Sequence, residues 1–214
     1  MNKLIFILLY GFLALNTYAE PQRRSQIWNK NEIVIQPWKN FYFEIAEKIH
    51  YSPERNAADL KYAEIFLSHE LRNWFEYGAG FRISKANLYP GWLQENRTML
   101  IANFLKNINH FSLKYSNRFE YRSFDYDLHH FRYRQEFKVE FPSLVSWGMR
   151  FYTSEETYFK MNEIGFHLAR LSGGLSVVQK EHFRLKMYYA LEKYKLIENW
   201  GTTDIAGLNL SFIF

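Results

Sequence analysis

The chain predicts an all-β fold: a single antiparallel, up-and-down β-barrel that crosses a membrane. Three observations carry this. Apolar and polar residues alternate with a period of two along most of the sequence, as in strands with two unlike faces. Aromatic residues make up 20% of the 214 positions, with 20 Phe, 16 Tyr and 6 Trp; such residues favour strands and gather at membrane–water interfaces. Finally, the closing stretch Thr203 to Phe214 carries an apolar stripe, Ala206, Leu208, Leu210, Phe212 and Phe214, and stops on an aromatic ring. Chain ends of soluble domains are more often frayed and polar.

The N-terminus reads as a processing segment. Lys3 supplies a positive charge, Leu4 to Leu15 is an apolar core, and Thr17-Tyr18-Ala19 offers a small-x-small cleavage site. Residues 1–19 are therefore expected to be a signal peptide. The apolar run is too short for a membrane-spanning helix, which needs about 20 residues. The chain has no cysteine, so the exported protein has to be stable without disulfides. A net charge of +5, mixed in sign along the sequence, argues against nucleic acid as a partner. Residues 20–40 form an N-terminal segment in which Gln26–Gln36 is a short strand, a plug or half of a hairpin. Residues 41–214 form one barrel domain.

The strands follow in order. Phe41, Phe43, Ile45, Ile49 and Tyr51 share one face. Phe75, Tyr77, Ala79, Phe81 and Ile83 share another, as do Phe111, Leu113, Tyr115, Phe119 and Tyr121. Phe131 to Phe141, Val145 to Phe151 and Phe183 to Leu191 repeat the pattern. Three segments alternate less cleanly. Asp59–Leu71 has apolar residues at helical as well as strand spacing, Thr98–Lys106 has them on both phases, and Phe166–Val177 carries Gly173-Gly174, which suggests a bulge or kink. All three are read as strands. This makes ten strands, or twelve if the N-terminal segment is a hairpin. Short connections are expected at 72–73, 107–109, 142–143 and 179–181. Longer ones are expected at 52–58, 86–96, 154–163 and 197–202, with a shorter one at 125–128. That asymmetry is typical of outer-membrane barrels. An even count places both termini at the periplasmic rim and pairs the closing strand with the strand at Phe41.

Alternation alone does not say which face points inward. A soluble barrel buries its apolar face, whereas a membrane barrel turns it to lipid. The mean hydropathy of −0.37 suits either. The aromatic faces and the terminal Phe favour lipid outside and charge inside. The lumen would then hold a charge ladder of Arg118, Glu120, Arg122, Arg132, Arg134, Glu136, Lys138 and Glu140. Such a ladder fills a narrow lumen with salt bridges or, alternatively, forms a basic ring that selects anions.

Asn117–Arg122, Asn-Arg-Phe-Glu-Tyr-Arg, followed by Phe131–Phe137, Phe-Arg-Tyr-Arg-Gln-Glu-Phe, resembles the paired Arg-rich strands of a domain-of-unknown-function family of small outer-membrane proteins. Gln26-Ile27-Trp28 is similar to the Trp-bearing strand that follows the signal peptide in that family. The resemblance covers most of Gln26–Phe214. It implies a barrel in the outer membrane of a bacterium and no established activity.

Catalytic signals are weak. Asp125, Asp127, His129 and His130 cluster at one strand connection, where two carboxylates and two imidazoles could support hydrolysis at an external rim. A solvated polar turn accounts for them better, and neighbouring His residues in a strand face opposite ways. Ser68-His69-Glu70 has hydrolase residue types on consecutive, alternating positions. Ser172-Gly173-Gly174 lacks the strand–turn–helix context of a nucleophile elbow. Glu155-Glu156 reads as a solvated loop pair. No metal or cofactor is expected. The expected partners are outer-membrane lipids and a barrel-assembly machinery that engages Phe212 and Phe214. The sequence thus favours a structural or transport-related barrel with a charge-filled lumen. The alternatives are a barrel hydrolase acting on lipid or peptide at the extracellular rim, and a soluble exported barrel that binds an apolar ligand.

Overall fold

Two-faced strands leave unpaired edges unless the sheet closes on itself, and here it does. The computed structural model describes residues 23–88, 91–126, 128–145, 148–161, 165–180, 182–195 and 199–214. The signal-peptide expectation, Asp127 and Trp147 lie outside these. Eleven strands form one closed barrel: β1 (Arg23–Trp38), β2 (Phe41–Ser52), β3 (Ala57–Arg72), β4 (Phe75–Leu88), β5 (Gly91–Ile108), β6 (Phe111–Phe124), β7 (His129–Ser143), β8 (Arg150–Lys160), β9 (Gly165–Lys180), β10 (Phe183–Lys195) and β11 (Trp200–Ile213).

The count corrects the expected ten strands. Residues 23–38 are neither plug nor hairpin but a full 16-residue strand, which inserts between β11 and β2. Neighbours pair antiparallel except at this closure, where β1 runs parallel to β11 from Arg23↔Thr202 to Val34↔Ile213. The closing strand therefore does not pair with the strand at Phe41; β1 separates them. An odd count also puts Arg23 and Phe214 at opposite rims. Arg23 Nη2 donates to Asp204 Oδ1 at 2.9 Å, and the Ser25 N–H donates to Glu54 Oε1 at 2.7 Å. At the other rim Phe214 N–H donates to the Val34 carbonyl and Gln36 N–H to the Phe214 carbonyl, both at 2.9 Å.

Glu54 lies in the 53–56 connection. The Ser25 N–H holds its carboxyl below the ordinary range, helped by the Ser52 hydroxyl. A folded value below the unfolded one stabilises above the unfolded value and is lost as pH falls through the lowered one. Acidification is therefore expected to loosen the start of β1. Faster hydrogen exchange at the Ser25 amide at acid pH, beyond the intrinsic change, would register it.

Two other expectations change. β7 runs through Pro142 to Ser143 and β8 begins at Arg150, so Val145 and Met149 lie outside the strands while Phe151 belongs to β8. Residues 154–160, expected in a loop, belong to β8. Its outward face carries Thr153, Glu155 and Thr157 while Tyr152 and Tyr158 point in and are buried. The usual polarity contrast is inverted there, which hid the strand. The 86–96 loop likewise contracts to 89–90, because β4 and β5 continue almost to the tip. The β9 bulges fall at Val177, between Leu185↔Val178 and Lys186↔Ser176, and at His167, between Tyr158↔Leu168 and Phe159↔Phe166, rather than at the glycine pair. Gly174 serves close approach instead, since a Cβ there would lie 2.6 Å from Tyr188 Cβ. The 39–40 and 109–110 turns place Asn40 and Asn109 at φ 68° and 55°, a left-handed conformation that Asn tolerates.

The barrel is apolar outside and charged inside. Ile45, Ile65, Leu67, Ile83 and Leu100 are exposed on the outer face, whereas Glu64, Arg82, Glu95, Arg97, Glu120, Arg132 and Glu156 are buried. Aromatic rings border the outer face at both ends. Near Phe214 the contacts Trp38–Phe41, Phe75–Phe104, Phe111–Phe141, Phe141–Phe151 and Phe183–Phe212 have centroids 5.2–6.2 Å apart. Toward the opposite rim Tyr121–Phe131, Phe159–Phe166 and Phe166–Trp200 lie 5.1–5.6 Å apart.

Candidate functional site

The inward faces of most strands carry charges on alternate positions, and the hydrogen-bonded register decides which charges meet. All eight residues of the sequence-derived ladder are on strands β6 and β7, but only Glu120 and Arg132 face each other as opposite charges. Arg132 donates to Glu120 through Nη2 at 2.5 Å and Nε at 2.7 Å. Arg118 stands opposite Arg134, and Lys114 opposite Lys138, so the hairpin cannot neutralise itself. Apart from Glu136 and Glu140 on β7 itself, its partners come from other strands. Arg122 binds Glu95 of β5 at 2.7 Å, and Arg97 of β5 reaches Glu95 at 2.6 Å and Glu120 at 3.5 Å. Arg134 binds Glu156 of β8 at 3.0 Å and Glu136 at 3.2 Å. Lys138 and Arg150 share Glu140, at 3.5 and 3.2 Å.

A second group closes the network. Arg170 of β9 donates to Glu156 at 2.9 Å and, through Nε, to Glu192 of β10 at 3.0 Å. The Tyr158 hydroxyl donates to Glu156 at 2.5 Å. Arg82 donates through Nε to Glu64 at 2.8 Å and lies 3.8 Å from the Tyr62 ring centroid. Trp28 is buried inside, stacked on His50 at 3.9 Å with Lys48 Nζ 3.7 Å and Arg170 4.6 Å from its ring. It packs with Ala190, Ile205 and Tyr188 into an apolar knot. Here cations over aromatic faces take the place of some carboxylates.

Sequence reasoning missed Glu64, Arg82, Glu95, Arg97, Arg170 and Glu192, and it assigned Glu156 to solvent. The signal was present on β4, where Arg82 alternates with Phe81 and Ile83. On β5 it was masked, because Met99, Ile101 and Leu105 also face inward.

These groups fill the middle of the lumen. Met99, Glu120, Ile205 and Ala190 have 0 to 1% of their surface exposed. Toward the Phe214 rim the lumen opens into a cavity of about 640 Å³. Its lining includes Glu70, Glu76, Lys114, Arg118 and Arg184.

Among the described residues, the rim candidates Asp125, His129 and His130 do not assemble. Asp125 Oδ2 accepts the Gln94 N–H at 3.2 Å. His129 is exposed, while His130 turns inward, stacked on Phe124 at 5.6 Å and 3.4 Å from Arg122 Nη1. Ser68 and Glu70 line the cavity, while His69 stacks outside on Phe41 at 4.2 Å. Among the described residues no group of three or more acidic, His or Cys side chains could hold a metal. Phe212 and Phe214 are exposed at the rim.

A closed sheet with its charges paired within and its apolar rings without is an inside-out β-barrel. The chain belongs to the family described as a protein of unknown function, DUF2490, whose sequence profile matches residues 25–201. No curated protein matches it in sequence. Among solved structures, it is similar to the anion-selective porin from Comamonas acidovorans, with a TM-score of 0.43 and 11% identity. That match covers 84% of this chain and 54% of the porin, so the chain spans about half of the porin's length.

Proposed function

We propose that this chain is an integral outer-membrane β-barrel, structural or transport-related, whose lumen is closed by its own ion pairs. The observation that carries this reading is the inverted distribution of side chains. Isoleucines and leucines on the outer face would be stranded in water, and charges held inside would be unnecessary in a soluble barrel. A signal peptide over residues 1–19 would export it. In a bilayer the closed ladder leaves no backbone edge unsatisfied. The two aromatic belts suit the two interfaces, with the aliphatic band between them.

The connections support an orientation. Four of the five at the Phe214 rim have two residues, whereas four of the five at the other rim have four. Short turns belong on the periplasmic side. Phe214 then sits at the periplasmic rim and Arg23 at the outer one. An epitope tag ahead of Arg23 is expected to be accessible on intact cells, and one after Phe214 only after permeabilisation. Tags accessible on the same side would reject the parallel closure.

Phe214 would also serve assembly. Phe214→Ala keeps both backbone bonds to β1 but removes the ring. The expected result is a lower steady-state barrel level with unchanged unfolding of the barrel that does form. Normal levels would reject a role for the ring.

Planar-bilayer recording tests the closed lumen. The purified barrel is expected to be silent; large, steady channels would overturn the reading.

A further inference from the structure

The cavity at the Phe214 rim is electrically polarised. Glu70 and Glu76 stand directly opposite each other across β3 and β4, a like-charge pairing that destabilises a sheet unless something compensates it. Neither has a cation within 4 Å among the described residues; Glu76 accepts only the Asn103 amide, at 3.1 Å. Two strands along the wall, Lys114 and Arg118 of β6, and separately Arg184 of β10, likewise have no carboxylate within that distance among the described residues. Arg118 is held by Met99 Sδ at 3.8 Å and by the Phe66 ring at 5.0 Å. Many other lumen charges pair within a strand or across neighbouring strands. Here Glu76 and Lys114 stay apart because β5 lies between their strands.

Spacing and volume narrow the occupant. Glu76 faces Asn103, which faces Ser116 beside Lys114. Two strand spacings separate the acidic and basic walls, about 10 Å. An extended peptide covers at most about 3.3–3.6 Å per residue, so three residues bridge that gap. The cavity of about 640 Å³ lies within the range of about 300–1,000 Å³ usual for ligand sites, and Phe66, Ile101 and Leu105 on its wall supply apolar contact between the charged ends.

We propose that this vestibule binds a short zwitterionic peptide of about three residues. Its ammonium sits at Glu70 and Glu76, and its carboxylate at Lys114 and Arg118. The inference rests on the closed lumen proposed above, which gives the vestibule a floor. The two fail separately, because conductance is read in bilayers and this site by binding.

Calorimetry on the full chain in detergent tests it, with trialanine as the probe. Trialanine is expected to bind, and acetylating its amine or amidating its carboxylate should each weaken binding at least tenfold. In the Glu70→Gln, Glu76→Gln double variant, free and acetylated peptides should bind alike. In Arg118→Gln, free and amidated peptides should converge. Neutralising Glu70 and Glu76 removes a repulsion, so that variant is expected to keep its fold, checked by its unheated gel migration. No trialanine binding at millimolar concentration, equal affinity for capped and free peptides in the parent chain, or binding of glycerophosphoethanolamine instead of trialanine would each overturn the proposal.

Discussion

Glu120→Ala is expected to destabilise the barrel by about 3–5 kcal/mol, the usual cost of stranding a buried partner. Glu120 is 1% exposed and holds Arg132 at 2.5 Å and Arg97 at 3.5 Å. Arg97 keeps Glu95, but Arg132 is left with only the Tyr158 ring, 4.9 Å away. Replacing both members, Glu120→Leu with Arg132→Met, removes the stranded charge and should cost markedly less than Glu120→Ala alone. Urea midpoints in detergent would measure both. Equal losses in the single and double variants would mean that the pair contributes packing rather than charge compensation.

Opening the lumen is the second large effect. The quadruple variant Glu120→Ala, Arg132→Ala, Glu156→Ala and Arg170→Ala removes two acidic and two basic side chains, and with them five ion pairs, without changing net charge. It deletes the side chains that link β6 and β7 to β8, β9 and β10 across the barrel. Because pore diameter and lining set conductance, the variant is expected to show ion currents where the parent is silent. A variant that folds yet stays silent would show that the remaining side chains, Arg97, Tyr158 and the Trp28 knot, suffice to close the lumen.

Much of this architecture is legible in the sequence, and the exceptions have physical causes. β2, β4, β6, β7 and β10 announce themselves because one phase is mostly aromatic or aliphatic and the other mostly charged, polar or small. β8 does not, because its outward face holds Thr153, Glu155 and Thr157 and its inward face two tyrosines. β1 is ambiguous for a similar reason: Asn29 and Asn31 lie on the phase of exposed Ile27 and Ile33, while Trp28 turns inward. Missing one strand makes the count even, which removes the parallel closure and puts both termini at one rim. Charge pairing is harder still. Alternation tells that Arg118 and Arg134 face inward, but only register reveals that they oppose each other and that their neighbours find carboxylates on β5 and β8. The vestibule is invisible in the sequence because it is made by charges that fail to meet.

The account rests on a sheet that closes around its charges and faces lipid. Isolation of outer membranes followed by electrophoresis with and without heating tests this most directly. A closed membrane barrel should remain in the outer-membrane fraction after carbonate extraction, migrate as a compact band when unheated and shift to its full apparent mass on boiling. Release by carbonate together with identical migration before and after heating would contradict the central claim.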